Sequence, residues 1–235
     1  IFAMDRAGFV GFDGPTHHGL LDIAYMRIIP NMVVMAPRDE AELRDMMLTA
    51  KNYHGGPIAF RYPRAAVGGT DISRPPREIP IGKAVLVHEG SSPVCLLSYG
   101  HIYANVMAAA DILKERGLDV TIVNARFAKP LDVDMLRWAA ERHEFVFSVE
   151  EGCAAGGFGS AVNEAFDEMG IGARCHILAV PDRFIEHGEQ AWQQEEAGLS
   201  PSRIAERILA IATTSKGDDV PLDQPKVVPI RASSR

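Results

Sequence analysis

The residue types best suited to chemistry lie in three short segments. Segment 13–19, Asp-Gly-Pro-Thr-His-His-Gly, places a carboxylate and two imidazoles among glycines. Arg6 precedes it, and Arg64 ends the segment Arg-Tyr-Pro-Arg at 61–64. A guanidinium can bind phosphate bidentately. A histidine beside glycine can approach a substrate closely and exchange protons near neutral pH. This combination is typical of a pocket for a phosphorylated, hydroxyl-bearing molecule.

The composition excludes some classes of partner. The chain has 235 residues, of which 47% are hydrophobic and 23% charged, so we expect one large or two modest globular domains. Its net charge of −7 disfavours nucleic acid and anionic membranes as partners, because both require clustered positive charge. No apolar run approaches the roughly 20 residues of a membrane span. The three cysteines show no C-x-x-C spacing, which indicates a reducing, cytoplasmic location.

The elements that must position these residues begin with a short buried strand at Met32–Met35. Asp39 with Glu42 resembles a capping box and predicts a helix that continues to Ala50 on one apolar face. The run 58–62 predicts a second strand. It would place Arg61 and Arg64 at its carboxyl end, where open α/β sheets bind their ligands.

The composition changes from 65 to 80, where Gly, Pro, Ser, Arg and Thr predominate without periodicity. Beyond it, predicted strands alternate with predicted helices, which indicates βαβ units and a mostly parallel sheet. The strands are 84–87, 94–97, 120–123, 145–149 and 176–180, and the helices are 102–116, 133–142, 159–169 and 202–212. We therefore predict an α/β protein with a first domain at 1–70, a linker at 71–80, a second domain at 81–212 and a disordered tail at 213–235.

Several motifs of the first half occur together and in order. They are Asp-Arg-Ala-Gly at 5–8, segment 13–19, the run 25–32, Met-Ala-Pro at 35–37 and segment 61–64. They resemble the pyrimidine-binding domain of the 1-deoxy-D-xylulose-5-phosphate synthase family, which belongs to the thiamine diphosphate-dependent transketolase superfamily. In the second half, 126–132, 149–152 and 156–160 resemble its C-terminal domain. The resemblance extends to about residue 212 and implies part of the first domain followed by the second.

The resemblance implies an activity. Members of the family decarboxylate pyruvate and add the two-carbon unit to glyceraldehyde 3-phosphate, which supplies isoprenoid and thiamine/pyridoxal biosynthesis. It implies that Arg6 and Arg64 hold the acceptor phosphate, that Asp13 and His17 contact the substrate, and that His17 transfers a proton. It also implies thiamine diphosphate and Mg²⁺ as cofactors and a homodimer as the assembly.

One motif of the superfamily is missing. Its metal site uses Gly-Asp-Gly followed by an Asn at a set distance, whereas Phe12-Asp13-Gly14 lacks the first glycine and Asn31 is too close. Gly217-Asp218-Asp219 lies in the expected tail. Ile1 reads as the inside of a strand. We therefore expect a C-terminal fragment whose cofactor and metal are bound mainly by preceding residues, and which does not turn over alone.

Two alternatives remain open: a transketolase or the β subunit of a 2-oxoacid dehydrogenase, and, from another class, a noncatalytic dimerisation module. Arg61 could replace Arg64 at the phosphate, although the motif favours Arg64. For His18 we favour no role. Glu150-Glu151 is interpreted as a polar loop, and the glycine-rich turn 156–159 as a packing feature rather than an anion site.

Overall fold

The computed structural model describes residues 1–66 and 68–213. Within them, nine strands and seven α-helices follow one another along the chain. The strands are β1 (Phe2–Met4), β2 (Val33–Met35), β3 (Ile58–Arg61), β4 (Val85–His88), β5 (Val94–Tyr99), β6 (Thr121–Asn124), β7 (Phe127–Lys129), β8 (Phe145–Cys153) and β9 (Cys175–Val180). The helices are α1 (Asp22–Arg27), α2 (Glu40–Asn52), α3 (Tyr103–Glu115), α4 (Val133–Arg142), α5 (Phe158–Glu168), α6 (Gln190–Glu196) and α7 (Pro201–Ala212), with a short 3₁₀ helix at Gly11–Asp13.

The strands form two sheets. The first has the order β1-β3-β2-β7, in which β1, β3 and β2 are parallel and β7 is antiparallel to β2. The second has the order β4-β6-β5-β8-β9, in which only β4 is antiparallel to its neighbour. The predicted α/β class with a mostly parallel sheet is confirmed.

The periodic helices begin where the sequence predicts. The carboxylate of Asp39 accepts the backbone N–H of Glu42 at 2.8 Å, which caps α2. Asp132 caps α4 in the same way, by accepting the N–H of Met135 at 3.2 Å. Ser200 caps α7 by accepting the N–H of Arg203. In each case a short polar side chain satisfies a donor that the first helical turn leaves unpaired.

Strand β7 was not predicted, and it joins the first sheet although it follows four elements of the second half. Arg126, just before it, is in the left-handed region at φ 60° and donates from Nε to Glu42 on α2 at 2.6 Å. Lys129, at its end, donates to the carbonyls of Arg27 and Ile29 at 2.8 and 2.7 Å. These contacts fix a strand whose local sequence shows no strand signal.

The two halves of the chain share a hydrophobic core. Ile23 and Val34 from the first half pack in one buried cluster with Leu97 and Phe158 from the second. Tyr99 stacks on Phe158 with ring centroids 5.0 Å apart. Between β3 and β4 the described residues form no helix or strand. Apart from Thr213, which caps α7, the predicted tail lies outside the described residues.

Candidate active site

Arg6 and Arg64 leave the same edge of the first sheet. Strands β1 and β3 are parallel neighbours, with Met4 opposite Arg61, so the segments that follow both strands emerge side by side. Arg6 lies just beyond β1 and Arg64 just beyond β3. This is the carboxyl edge at which open α/β sheets place their ligand sites.

Asp13 lies between these two arginines. Its Oδ2 accepts a hydrogen bond from a terminal nitrogen of Arg64 and lies 3.8 Å from Nε of Arg6. Arg6 also donates to Asp5 at 2.6 Å. The Arg64 hydrogen bond and the positive charges nearby hold the pKa of the Asp13 carboxyl below its ordinary value. Asp13 is therefore an ionised acceptor that draws two guanidiniums together.

His17 lies on the same loop and is exposed. Its backbone N–H donates to the carbonyl of Gly14 at 3.0 Å, and its Nδ1 lies 2.9 Å from the hydroxyl of Thr16. The structure thus brings Arg6, Asp13 and Arg64 into contact. It leaves the imidazole of His17 beside them and open to solvent.

A cleft of about 520 Å³ opens beside this cluster. One wall comes from the first half of the chain and includes Phe12, Asp13 and Arg64, and the other comes from the second half through Glu189 and Gln190. The second wall was not predicted from the sequence. Its residues carry no motif, and only the packing of the two halves brings them to Arg64.

Arg61 is buried below the cleft, where it holds neighbouring segments together, and it does not line the cleft. It is 4% exposed and forms a bidentate pair with Asp22, with Nε–Oδ2 at 2.6 Å and Nη2–Oδ1 at 3.1 Å. Its Nη2 also donates to the carbonyls of Gly19 and Glu151 at 2.7 and 3.2 Å. The alternative that Arg61 replaces Arg64 at a ligand is therefore not supported, because Arg61 is buried and its Nε and Nη2 donors are already in use.

His18, for which no site role was favoured, makes structural contacts between the two halves of the chain. Its Nδ1 accepts the N–H of Val10 at 3.2 Å, and its Nε2 donates to the carbonyl of Ile185 at 3.2 Å. Burial lowers the pKa of His18, which favours the neutral ring that this pairing requires. The imidazole joins the loop before Asp13 to the segment before α6.

The interpretation of Glu150-Glu151 as a polar loop is also wrong, because both side chains are buried within β8. Glu150 accepts the N–H groups of Phe158 and Gly159 at 2.7 Å each, at the N-terminus of α5. Burial raises its pKa to about 7. The N–H groups of Phe158 and Gly159 are therefore paired with a carboxylate from the same chain. This agrees with the prediction that the glycine turn 156–159 serves packing and is not an anion site.

Glu151 points to the other side of β8, beneath the Asp-Arg-Ala-Gly segment. Its Oε2 lies 2.6 Å from Nε2 of His101 and accepts the N–H of Phe9 at 3.2 Å. Burial alone would raise the pKa of Glu151, but the electrostatic effect of His101 and the hydrogen bonds from His101, Gln194 and Phe9 together outweigh it, and the pKa is lowered. A Cβ on Gly8 would lie 1.8 Å from this carboxylate. The segment can approach Glu151 only because residue 8 is a glycine.

Among residues 1–66 and 68–213, no group of three or more His, Cys, Asp or Glu side chains is placed to hold a metal ion. Asp13, the acidic residue of Phe12-Asp13-Gly14, is engaged by arginines and does not fit the role of a metal ligand. No helix in the described part of the chain is long and apolar enough to cross a membrane.

Comparison with known families agrees with this architecture. The transketolase pyrimidine-binding domain matches residues 1–70, and the transketolase C-terminal domain matches residues 82–204. The chain belongs to the transketolase family. Solved structures support the assignment: a split-gene transketolase, described as an inactive β4 tetramer, is 27% identical with a TM-score of 0.76 over 90% of this chain and 65% of the other. Transketolase from Campylobacter jejuni, at 21% identity and a TM-score of 0.63 over 89% of this chain and 31% of the other, shows the same fold.

Three curated relatives similar to this chain share one name. The 1-deoxy-D-xylulose-5-phosphate synthase of Brevibacillus brevis is 50% identical over 92% of this chain and 35% of its own length. The synthases of a Cyanothece species and of Thermomicrobium roseum are 47% and 48% identical over 89% and 91% of this chain, and over 33% and 34% of their own lengths. The chain therefore spans about a third of the length of these relatives.

Proposed function

We propose that this chain forms the acceptor-binding side of a 1-deoxy-D-xylulose-5-phosphate synthase. The enzyme would condense pyruvate with glyceraldehyde 3-phosphate, with loss of CO₂. The observation that carries the proposal is the cluster of Arg6, Asp13 and Arg64 at the edge of a cleft between the two matched domains. The identity of about half the residues to curated synthases supports the choice of reaction.

The arginines suit an acceptor that carries a phosphate. A phosphate monoester has nearly two negative charges at neutral pH, and each charge-assisted hydrogen bond to it contributes about 1.5–3 kcal/mol. In the structure Asp13 holds Arg64 and its Oδ2 lies 3.8 Å from Nε of Arg6, so both guanidiniums flank one carboxylate. An entering phosphate would take the place of the Asp13 carboxylate on one or both arginines. Asp13 would then be free to accept a substrate hydroxyl.

We assign proton transfer to His17. Addition of a two-carbon unit to an aldehyde produces an alkoxide, which must gain a proton, and an imidazole is suited to that transfer near neutral pH. His17 is solvent-exposed on the loop that carries Asp13. It can therefore exchange its proton with water between cycles.

Members of the transketolase family use thiamine diphosphate, which supplies the carbanion that carries the two-carbon unit. In this proposal the chain binds the acceptor, and thiamine diphosphate and Mg²⁺ would be held mainly by residues outside it. A homodimer, a cytoplasmic location and domain limits at 1–70 and 81–212 form part of the same proposal. The tetrameric split-gene transketolase supports self-association.

The test uses the complete enzyme that contains this chain. Arg64→Ala should raise the half-saturating concentration of glyceraldehyde 3-phosphate at least about tenfold, since one charge-assisted contact is lost. The value for pyruvate should stay unchanged. His17→Ala should slow the addition step in single-turnover experiments. Equal effects of Arg64→Ala on both substrates, or an unchanged addition rate for His17→Ala, would remove these residues from the assigned roles.

The main alternative of another class, a noncatalytic dimerisation module, predicts that Arg64→Ala changes neither substrate parameter. Such a module does not require two arginines beside an open cleft, and no contact of the hydrophobic core depends on these arginines. A transketolase proper would instead use a phosphorylated ketose as donor. Replacing pyruvate by such a ketose in the same assay distinguishes the two reactions.

A further inference from the structure

Helix α6 presents three glutamines to the segment that precedes Asp13. Gln190, Gln193 and Gln194 stand at i, i+3 and i+4, so their side chains share one face of the helix. All three donate their side-chain amides towards the first half of the chain or to a carboxylate that supports it. We call these three residues the glutamine clamp.

The clamp and two neighbouring side chains pair almost every backbone group from Phe9 to Gly11. Gln193 is buried and satisfies both polar groups of Gly11: its Oε1 accepts the N–H at 3.0 Å and its Nε2 donates to the carbonyl at 2.9 Å. Gln194 donates to Glu151 at 2.8 Å, and Glu151 accepts the N–H of Phe9. His18, from the first half, accepts the N–H of Val10. The other partners are side chains from the second half, and they take the place of a sheet or helix ladder.

Gln190 makes the contact with the most direct bearing on the cleft. Its Nε2 donates to the carbonyl of Phe9 at 2.7 Å and to the carbonyl of Arg64 at 3.1 Å. A primary amide has two N–H groups, so one side chain can satisfy both acceptors. Phe9 follows the segment that carries Arg6, and Gln190 itself lines the cleft. One amide from α6 thus joins the two segments that bear the arginines.

We propose that Gln190 is a positioning residue that fixes the separation of the Arg6 and Arg64 segments and so sets the affinity of the cleft for a phosphate group. This inference rests on the proposed function, because it assumes that the two arginines bind one phosphate. Without the amide, the Arg64 carbonyl loses a partner that comes from the second half of the chain. The Arg64 side chain would keep its hydrogen bond to Asp13, while the Arg64 backbone would lose its contact with α6.

The experiment titrates the 235-residue chain with inorganic phosphate and follows the amide signals of residues 9–13 and 64 by NMR. Gln190→Met, which is similar in length and cannot donate, should weaken phosphate binding about threefold to tenfold. It should also accelerate hydrogen exchange of the amides of Val10 and Gly11. Arg64→Ala should weaken binding more strongly and leave that exchange unchanged.

Two controls separate positioning from general loss of stability. Glu196→Ala alters an exposed residue of the same helix whose carboxylate contacts Arg183, and it should leave both readouts at wild-type values. Gly117→Ala, far from the cleft, should lower stability without changing the affinity for phosphate. A reduced affinity in Gly117→Ala equal to that in Gln190→Met would overturn the positioning role.

The outcomes distinguish the two proposals. If Arg64→Ala weakens phosphate binding while Gln190→Met leaves it unchanged, the positioning role is refuted and the proposed function stands. If the wild-type chain gives no saturable response to phosphate, or Arg64→Ala has no effect, the phosphate assignment itself fails. If Gln190→Met does not fold, the double variant Glu189→Gln/Gln190→Glu preserves net charge and moves the amide by one residue. Wild-type affinity in that variant would refute the positioning role.

Discussion

Removing the carboxylate of Asp22 provides the strongest test of how the candidate site is supported. In Asp22→Ala, the guanidinium of Arg61 would keep its carbonyl contacts and lose its only carboxylate partner among the described residues. Arg61 is 4% exposed, so water does not replace that partner. Breaking a buried ion pair by removing one member typically costs about 3–5 kcal/mol. We expect a loss of this size.

The measurement is urea unfolding followed by far-ultraviolet circular dichroism. With a urea dependence of about 2–3 kcal/mol per molar, the unfolding midpoint should fall by about 1–2.5 M. The matched control is Glu89→Ala, which removes the carboxylate of the exposed pair Arg142–Glu89, 3.5 Å apart. Such pairs contribute about 0–1 kcal/mol. If both variants shift the midpoint equally, the argument that burial makes the Asp22–Arg61 pair important is refuted.

Two further predictions concern the buried side of the cleft. Because burial raises the pKa of Glu150 to about 7 in the folded chain, above its unfolded value near 4.5, its contribution to stability is complete below pH 4.5 and lost as the pH rises through 7. The free energy of unfolding of wild type relative to Glu150→Gln should therefore fall by about 3 kcal/mol over that interval in pH-dependent urea titrations, and a flat difference would contradict it. Gly8→Ala should cost more than about 2 kcal/mol, because φ is +78° and the new Cβ would overlap Glu151. Gly117→Ala, at φ +83° with no atom within 4 Å, should cost only about 1 kcal/mol, and similar thermal shifts for both would show that the overlap is relieved.

The periodic parts of the fold could be predicted from the sequence because their signals are local. The cap at Asp39 and the apolar face of α2 lie within one stretch of chain, and so do the alternating strands and helices of the second half. Strand β7 gave no such signal. It is short, and it exists because Arg126 finds a partner on α2 and Lys129 finds partners at and just after the end of α1, far away in the sequence.

The candidate site also contains residues that local motifs predict and residues that depend on distant contacts. The motifs around Arg6, Asp13 and Arg64 predicted residues that the structure does bring together. The charges of Glu150 and Glu151 led to a wrong prediction of exposure, because their partners lie on α5, on α6 and in the turn before α3, and no local pattern indicates that they are buried. The sequence does contain glutamines at the i, i+3 and i+4 spacing of one helix face. That spacing has meaning only on a helix, and α6 is short and was not predicted.

The pairing of β7 with β2 has a consequence for the order in which the chain can fold. Until residues 127–129 have been synthesised, β2 would present an open strand edge, and unpaired edges recruit strands from other molecules. A polypeptide cut between the two matched domains would keep that edge of β2 unpaired. The segment that separates these domains in sequence is thus no boundary for folding, because among the described residues the free edge of β2 is covered by a strand that is synthesised after the second matched domain has begun.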